Sequence, residues 1–400
     1  MSFDPGSRIQ DYWVFGEYGD VNPSITDSST FTFMDPATME EVFDHEIEGC
    51  FLYSRHWNPS NKYLSEALAR MEDAESAQVT ASGMAAIACA ILQICGSGDE
   101  IVSSRTIYGG TYAFFKNFLP RFGITVRFVN TQDLEAVEAA MSERTRVLYC
   151  ETISNPLLEV ADLPALADLA HRHEAQLVVD NTFSPMLISP LRLGADVVVH
   201  SLTKFINGTS DCVAGAVCGR KSFIDSLVDV NSGASMLLGP VLDSTRAASI
   251  LKNLHSLHIR MQKHGENAAA LATALRAHGA TVHYPGLAEH PQHERMASLS
   301  NPGFGFGGML AIDMGTSDAA NAFMRGMQEA GVGYLAVSLG YFKTLFSAPG
   351  HSTSSEIPEE EQREMGLSDG LVRMSVGLDS DIGRTIERVI ACVDAVGVRA

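Results

Sequence analysis

Two residues of opposite charge close two neighbouring apolar segments of the chain. Lys204 follows the run VVVHSLT, which begins at Val197, and Asp180 ends the run AQLVVD. Such runs are typical of buried parallel strands, and ligands of parallel α/β sheets bind beyond the carboxyl ends of the strands. We therefore expect both side chains to face one crevice, where an amine can form an imine and a carboxylate can hold a protonated nitrogen.

This pair suits pyridoxal phosphate, which needs a lysine for a Schiff base and a carboxylate that keeps its pyridine nitrogen protonated. The segment ASGMAAIACAI offers a phosphate site, because Ser82 and Gly83 precede a helix whose first backbone N–H groups can hold an anion. Ser201 and Thr203 add hydroxyl groups beside the lysine. Taken singly, these residues allow simpler interpretations, namely a solvated loop lysine, a turn or helix cap at Asp180, and a plain N-cap at Ser82.

Three further segments carry candidate ligand contacts. In YGGTY, Gly109 and Gly110 let the backbone approach a ligand, and Tyr108 can lie flat on a ring. Arg373 lies inside the apolar segment LVRMSVG, and YSRHWNP places Arg55 between aromatic residues. A buried arginine needs an anionic partner such as a carboxylate or a phosphate. The alternatives are a core tyrosine beside a turn and structural salt bridges for the two arginines.

The composition limits the kinds of partner. The chain has 400 residues, 46% of them hydrophobic, so it can bury a large core and form two or more domains. A formal net charge of -20 argues against nucleic acid, whose binding needs clustered Lys and Arg. No segment has the uninterrupted apolar length of a membrane span. We therefore expect a small molecule as partner, with neither nucleic acid nor membrane.

The cysteine and histidine patterns indicate a reducing compartment and no metal. The seven cysteines are widely spaced, include no CxxC and lie partly in apolar runs, which is typical of buried reduced thiols. The N-terminal MSFDPGSRIQDYW lacks a signal pattern, and we expect a cytoplasmic protein. The histidines form no compact metal-ligand pattern. No GxGxxG opens the first strand–helix turn, which argues against a dehydrogenase.

The elements that must position these residues alternate along the chain. The segments DEIVSS, TVRFVN, RVLYCE, AQLVVD and ADVVVHS predict buried strands, with helices such as Leu163–His173 between several of them. KYLSEALARMEDA and SGMAAIACAILQICG predict helices, the second ending at Gly96. After Gly239 a long helical pattern follows, with a kink expected near Gly265. The remainder predicts strands in GGMLAIDM and LVRMSVGL, a helix in SDAANAFMRGMQEAG and a terminal helix from about Ile382.

Several segments together resemble the Cys/Met-metabolism enzymes that use pyridoxal phosphate. They are SGMAAI, YGGTY, ETISNP, VVDNTFSPMLISPLRLGADVVVHSLTKFINGTSD, AVSLG and LVRMSVGL, and the likeness runs from about residue 50 to the C-terminus. This family includes cystathionine synthases and lyases, methionine γ-lyases and O-acetylhomoserine sulfhydrylases. A narrower likeness to plant-type methionine γ-lyases lies in YPGLAEHPQHERM, GFGGMLAIDM, LAVSLGYFKTLFSAPGHSTSSE and GLVRMSVG.

The resemblance implies an α/β fold of the fold-type I PLP-dependent transferases. We expect a large domain with a mainly parallel seven-stranded sheet and a smaller α+β C-terminal domain. Residues 1–57 would form an N-terminal arm that contacts the neighbouring subunit, residues 58–255 the PLP-binding domain and residues 256–400 the C-terminal domain. A site shared between chains implies at least a dimer, and the family is usually a homotetramer built as a dimer of active dimers.

The resemblance also implies a role for each candidate residue. Lys204 would carry the cofactor, Asp180 would pair with its ring nitrogen, and Tyr108 would stack on the ring and act in catalysis. Asn155 would bond the ring hydroxyl, while Ser338 and Arg373 would handle the substrate. The expected phosphate ligands are Ser82, Gly83, Met84, Ser201 and Thr203, joined by Tyr53 and Arg55 from the neighbouring subunit.

Two positions bear on the substrate. Gly110 stands where many bacterial methionine γ-lyases have Cys, whereas plant-type enzymes have Gly there. Val337 stands where cystathionine enzymes often carry Glu, and an apolar residue favours a short apolar thioether. The resemblance thus implies γ-elimination of L-methionine to methanethiol, 2-oxobutanoate and ammonia. A cystathionine γ-lyase or γ-synthase, an O-acetylhomoserine sulfhydrylase and a PLP-binding protein without activity stay open as alternatives.

Overall fold

Two β-sheets organise the chain. A computed structural model describes residues 3–44, 47, 49–351 and 357–397, so the end of the motif LAVSLGYFKTLFSAPGHSTSSE lies outside the described residues. The first sheet has seven strands in the order β1-β7-β6-β5-β4-β2-β3, as the resemblance predicted. Its strands are β1 (Ser76–Thr80), β2 (Glu100–Ser104), β3 (Thr125–Val129), β4 (Thr145–Glu151), β5 (Gln176–Asp180), β6 (Val197–Ser201) and β7 (Gly215–Gly219).

The direction of the strands sets where a ligand can bind. Strands β3, β2, β4, β5 and β6 run parallel, and only β7 is antiparallel to its neighbours β1 and β6. Alternate side chains of β6 pack on the two faces of the sheet, with Val198 in one core cluster and Val197 and Val199 in another. The carboxyl ends of β4, β5 and β6 therefore meet at one edge, which leaves a crevice there.

The second sheet has five strands in the order β10-β11-β12-β9-β8 and is mostly antiparallel. Its strands are β8 (Thr281–His283), β9 (Met309–Asp313), β10 (Gly333–Leu335), β11 (Thr344–Ser347) and β12 (Leu371–Ser375). A core of its own covers this sheet and includes Leu310, Ile312, Phe346 and Met374. The sheet agrees with the predicted α+β C-terminal part, while the domain boundaries themselves stay predictions.

Helices cover both sheets. The α-helices are α1 (Pro5–Gln10), α2 (Pro36–Asp44), α3 (Pro59–Glu72), α4 (Gly83–Ile94), α5 (Gly109–Ala113), α6 (Leu134–Ala140), α7 (Leu163–Arg172), α8 (Lys221–Val228), α9 (Ala234–Leu238), α10 (Ser244–Leu254), α11 (Leu257–Ala277), α12 (His293–Leu299), α13 (Ser317–Glu329), α14 (Glu359–Glu364) and α15 (Ile382–Val396). The described residues also include a π-helix at Phe114–Phe118 and short 3₁₀ turns at Leu119–Phe122, Pro190–Leu193 and Pro349–His351. In the described part of the chain, no helix combines the length and apolarity that a bilayer crossing requires.

The long helical pattern after Gly239 breaks at a different place from the one predicted. Gly265 lies inside α11, where a side chain would come within 3.0 Å of the Phe304 carbonyl, so glycine serves close packing there. The break lies between α10 and α11 instead. In a continuous helix the Asn253 carbonyl would accept from the amide of residue 257. Here the side chains of Ser256 and Arg260 both donate to this carbonyl, each at 3.0 Å.

The segment predicted as an N-terminal arm contains two helices. Helix α1 begins after Asp4, whose carboxylate accepts from the amides of Gly6 and Ser7, and it packs on α3 with Ile9 buried. Helix α2 follows further along. Between and beside them Trp13, Tyr18 and Met34 are 86%, 85% and 98% exposed. All seven cysteines are unpaired, and every one except the partly exposed Cys50 is buried.

Candidate active site

A cavity of about 460 Å³ lies at the carboxyl ends of β4, β5 and β6. All the predicted site residues line it except Tyr53, Arg55 and Gly110. The first sheet and its loops contribute most of the wall, and the second sheet contributes Arg373 from β12 and Ser338 from the loop before β11. The cavity therefore lies across the junction of the two sheets.

Lys204 follows the end of β6 and reaches into this cavity. Its Nζ donates to Ser338 Oγ at 3.1 Å, and a turn ties its backbone N–H to the Ser201 carbonyl. Burial lowers the pKa of Lys204 to about 8, with a further contribution from the positive charge of Arg373. About a tenth of this amine is therefore neutral at pH 7, and a nucleophile or a base must be in that form.

Asp180 ends β5 and is only 9% exposed. Its Oδ1 accepts from the Thr182 backbone N–H at 2.9 Å. Burial raises the pKa of Asp180, while the hydrogen bonds from Thr182 and the nearby His200 oppose that shift. A positively charged ligand nitrogen beside this carboxylate would compensate its charge.

Arg373 is almost completely buried in the middle of β12. Its Nη1 donates to Asn155 Oδ1 at 2.8 Å, and Nη2 lies 3.4 Å from the Ser338 carbonyl. Burial lowers the pKa of Arg373 to about 10, and the negative charge of Glu151 opposes this. These contacts fix the guanidinium with neutral partners, so it can still bind a carboxylate of a ligand.

The N-terminus of α4 forms a cradle for an anion. Ser82 caps the helix by accepting from the Ala85 amide at 3.0 Å, which leaves the amides of Gly83 and Met84 in the turn where helices lack internal partners. A side chain at Gly83 would come within 2.7 Å of Ser201 Cβ. The helix and the end of β6 thus touch, and both contribute polar groups to one side of the cavity.

Thr203 and Tyr108 have contacts that the sequence did not predict. The Thr203 hydroxyl bonds the backbone of Ala214, accepting from its amide at 3.0 Å and lying 3.3 Å from its carbonyl. Tyr108 precedes α5, and its backbone N–H donates to Glu151 at 2.7 Å. A Cβ at Gly110 would lie 2.5 Å from the Tyr108 ring, so this glycine determines where the ring can lie without itself lining the cavity.

Tyr53 and Arg55 lie away from the cavity of their own chain. The Arg55 guanidinium stacks 5.4 Å from the centre of the Tyr53 ring, and Tyr53 is 44% exposed. The prediction assigned both residues to the cofactor of a neighbouring subunit, which a single chain does not test.

Sequence reasoning missed two polar residues at this edge, Glu151 and Thr182. Glu151 ends β4 and lies directly opposite Asp180 in the parallel register. An acid that closes an apolar run was the signal used for Asp180 in AQLVVD, and RVLYCE carries the same signal. Apolar residues in the wall include Val213 and Leu339 together with the predicted Val337.

The residues present fit pyridoxal phosphate. A lysine with a lowered pKa, a buried carboxylate and a cradle at a helix N-terminus line one cavity of suitable size. They match the aldehyde, the pyridine nitrogen and the phosphate of that group. Among the described residues, no cluster of three or more His, Cys, Asp or Glu side chains offers a metal site.

Comparison with known proteins points in the same direction. Residues 13–385 match the family model of the Cys/Met metabolism PLP-dependent enzymes. The chain is 46% identical over 381 residues to the methionine gamma-lyase of Arabidopsis thaliana, covering 94% of this chain and 86% of the relative. It is 37% identical over 368 residues to the O-succinylhomoserine sulfhydrylase of Pseudomonas aeruginosa, covering 91% of this chain and 88% of the relative.

A solved structure agrees with these sequence relatives. A Campylobacter jejuni protein, whose crystal structure contains N′-pyridoxyl-lysine-5′-monophosphate, superposes with a TM-score of 0.90 at 26% sequence identity. The match covers 98% of this chain and 100% of that one.

Proposed function

The chain belongs to the Cys/Met metabolism PLP-dependent enzymes, and on that premise we propose that it cleaves L-methionine by γ-elimination. With one water molecule, the products are methanethiol, 2-oxobutanoate and ammonia. The observation that carries this proposal is the 46% identity with a methionine gamma-lyase over 94% of the chain.

The lining of the cavity supports this substrate. Val213, Val337 and Leu339 line it together with Arg373. A methyl thioether needs only apolar contacts, and the α-carboxylate common to all amino acids can bind the guanidinium. Cystathionine ends in a second ammonium and carboxylate, which would call for charged partners where Val337 lies.

When bound, pyridoxal phosphate withdraws electrons from the substrate Cα through its protonated ring, which makes the hydrogens on Cα and then Cβ acidic. Asp180 would hold the proton on the ring nitrogen, because its carboxylate can accept a hydrogen bond from that group. Lys204 Nζ removes the proton from Cα and then moves protons at the neighbouring carbons, because a buried amine with a pKa of about 8 can both accept and donate near neutral pH.

The remaining residues orient the substrate and complete the proton transfers. Arg373 binds the α-carboxylate and so fixes the direction of the Cα–H bond. Tyr108 Oη donates a proton to the departing sulfur, so that methanethiol leaves as a neutral thiol. Asn155, which accepts a hydrogen bond from Arg373, would also contact the ring hydroxyl, and the α4 cradle with Ser201 and Thr203 would bind the phosphate.

We also propose that the active form is a homotetramer of two active dimers, in which Tyr53 and Arg55 reach the phosphate of the neighbouring subunit. The position of both residues outside their own cavity and the exposure of Trp13, Tyr18 and Met34 support this arrangement. The seven unpaired cysteines favour the cytoplasm as its location.

The reaction is tested by mixing the purified holoenzyme with L-methionine and measuring 2-oxobutanoate and methanethiol. The matched substrates are L-cystathionine, L-homocysteine, and an activated homoserine supplied with cysteine or sulfide. We expect methionine to have the highest kcat/KM of the panel. If no thiol forms from methionine but cystathionine forms from an activated homoserine and cysteine, the enzyme is a synthase.

The second candidate function is that of a sulfhydrylase, favoured by the 37% identity with an O-succinylhomoserine sulfhydrylase. It would use the same acid, lysine and arginine, and would differ in adding sulfide to an activated homoserine. Formation of homocysteine from O-succinylhomoserine and sulfide, at a higher kcat/KM than methionine cleavage, would establish it.

The shared site is tested by complementation between two inactive chains. Lys204→Ala and Arg55→Ala chains are unfolded together and refolded as a mixture. Each mixed dimer then contains one site with both an intact Lys204 and an intact Arg55, so activity should return to about a quarter of that of the unmutated enzyme. No recovery, with mixed dimers present by mass spectrometry, would place Arg55 outside the neighbour's site.

A further inference from the structure

Glu151 connects two loops that carry proposed ligand contacts. Its Oε1 accepts from the Tyr108 backbone N–H at 2.7 Å, and its Oε2 accepts from the Asn155 backbone N–H at 2.8 Å. Asn155 in turn accepts from Arg373 at 2.8 Å. One buried carboxyl group thus holds the loop before α5 and the loop after β4, and through the second loop it holds the arginine of the other sheet.

The charge of Glu151 acts on the same residues. Burial raises the pKa of Glu151 well above its usual value, and the neighbouring Asp180 adds to that, while the two backbone N–H groups and Arg373 oppose it. Both carboxyl oxygens accept from N–H donors, which is the pattern of a carboxylate. Its negative charge also opposes the lowering of the Arg373 pKa that burial causes.

We infer that Glu151 is a positioning residue for the reaction: its carboxylate fixes the backbones of Tyr108 and Asn155 and supplies the negative charge beside Arg373. The inference rests on the roles proposed above for Tyr108 and Arg373. Glu151 itself transfers no proton. Its effect is to set the pose of the tyrosine ring and of the guanidinium before an amino acid enters.

The first test replaces Glu151 with glutamine, which keeps the shape but removes the charge and offers an NH₂ group where an acceptor is needed. We expect kcat/KM for methionine to fall by about a hundredfold, through both a higher KM and a lower kcat. The absorption band of the lysine-bound cofactor gives a second signal. Its pH midpoint should move down by about one unit, because a nearby negative charge no longer favours the protonated form.

Glu151→Asp separates position from charge. The shorter side chain keeps the negative charge but does not reach both N–H groups. We therefore expect the midpoint of the absorption band to return to within about 0.3 units of the unmutated enzyme, while kcat/KM stays reduced by about tenfold. If aspartate restores neither signal, the negative charge is not what Glu151 contributes and the inference is wrong.

Glu100→Gln is the matched control. Glu100 is a buried glutamate of the same sheet at its opposite edge, where it is bound by Arg127, Arg144 and Ser142, and it does not line the cavity. Its replacement should lower thermal stability without moving the absorption band or kcat/KM. If Glu151→Gln behaves like this control, losing stability alone, Glu151 is a purely structural residue and the inference is overturned.

A further measurement keeps this inference distinct from the choice of substrate. Glycine has an α-carboxylate and an amine but no leaving group, so its Kd can be read from the change in the cofactor absorption. We expect Glu151→Gln to raise this Kd by at least about tenfold, because Arg373 binds the carboxylate less well. This increase in Kd is expected whether or not the unmutated enzyme cleaves methionine. An unchanged Kd would therefore contradict the role inferred for Glu151 without contradicting the proposed reaction.

Discussion

The two edges of the large sheet hold buried charge in different ways. At the amino edge, where the parallel strands begin, Glu100 at the start of β2 lies 3.0 Å from a guanidinium nitrogen of Arg127 and also forms an ion pair with Arg144. Burial raises the pKa of Glu100, but Ser142 and the two arginines outweigh it and lower the pKa overall. Opposite charges neutralise each other there, and they hold neighbouring strands together.

At the carboxyl edge the charged groups bond to neutral partners instead. Lys204 donates to a hydroxyl group, Arg373 to an amide oxygen, and Glu151 and Asp180 accept from backbone N–H groups. These bonds satisfy donors and acceptors without cancelling charge, so burial shifts each pKa toward the neutral form. Ion pairs thus mark the supporting edge, whereas charged groups that are not directly bonded to an opposite charge mark the edge that takes a ligand.

The sharpest test of this comparison removes the amine of the carboxyl edge. Lys204→Ala should lower turnover by more than about a thousandfold and abolish the absorption band of the covalently bound cofactor, since both the attachment and the proton transfers depend on Nζ. Steady-state assays and absorption spectra measure this. Lys221→Ala, which removes a surface lysine paired with Asp225, is the control and should leave both unchanged. Retained turnover in Lys204→Ala would contradict the proposed role.

The pH dependence of cofactor attachment tests the lowered pKa of Lys204 directly. The folded-state pKa of Lys204 is lowered to about 8, so the reactive neutral amine increases as the pH rises through that value. After the cofactor has been removed, the rate of its covalent attachment should rise about tenfold between about pH 7 and pH 9 and then level off. Stopped-flow absorbance follows the reaction. A rate that keeps rising to above about pH 10 would mean that the lysine behaves like a solvent-exposed one.

A smaller effect is expected from Gly110→Ala. The new Cβ would lie 2.5 Å from the Tyr108 ring, so the ring must move although no charge changes. We expect kcat/KM to fall by about tenfold with an unchanged pH midpoint of the cofactor absorption. Gly96→Ala is the matched control, because the nearest atom to a Cβ there is 3.8 Å away. Equal activities of the two variants would show that the position of the Tyr108 ring does not limit the reaction.

The smallest effect on activity is expected at the amino edge. Glu100→Gln removes a charge that is paired and remote from the cavity, so kcat/KM should stay within about twofold of the unmutated value. The free energy of unfolding should fall by about 1 to 3 kcal/mol, because hydrogen bonds to charged groups are lost. Chemical denaturation of the holoenzyme measures this. A large loss of kcat/KM without a loss of stability would remove the distinction between the two edges.

Much of this arrangement was predictable from the sequence, because the spacing of apolar residues and the polar residues that end an apolar run are local features. Short β-branched runs predicted β2 to β6 closely, and polar residues at the ends of β5 and β6 predicted the edge at which the cavity lies. Arg373 in an apolar run predicted a buried guanidinium, and it is 3% exposed. The antiparallel direction of β7 could not be predicted from a local pattern, because it depends on how the chain returns across the sheet.

The misses have physical causes as well. Gly265 was expected to kink the helix, but the lack of a side chain there instead lets the helix pack closely against the Phe304 carbonyl. The regular hydrogen bonding ends earlier, where the side chains of Ser256 and Arg260 donate to the Asn253 carbonyl. Glu151 ends RVLYCE as Asp180 ends AQLVVD, so the same signal was present, but only the register of β4 with β5 shows that the two acids lie side by side. Whether Arg55 completes a site depends on a second chain, which no pattern within one chain determines.

Because both sheets contribute residues to the cavity, ligand binding should affect thermal unfolding. Arg373 and Ser338 come from the five-stranded sheet, whereas Lys204 and Asp180 come from the seven-stranded one. An amino acid held by both groups bridges the two halves, so its binding energy opposes their separation. At about 100 times its Kd, such a ligand adds about 2.7 kcal/mol to the native state. Calorimetry should then show the halves melting closer together, in a single sharper transition, when the enzyme is saturated with glycine.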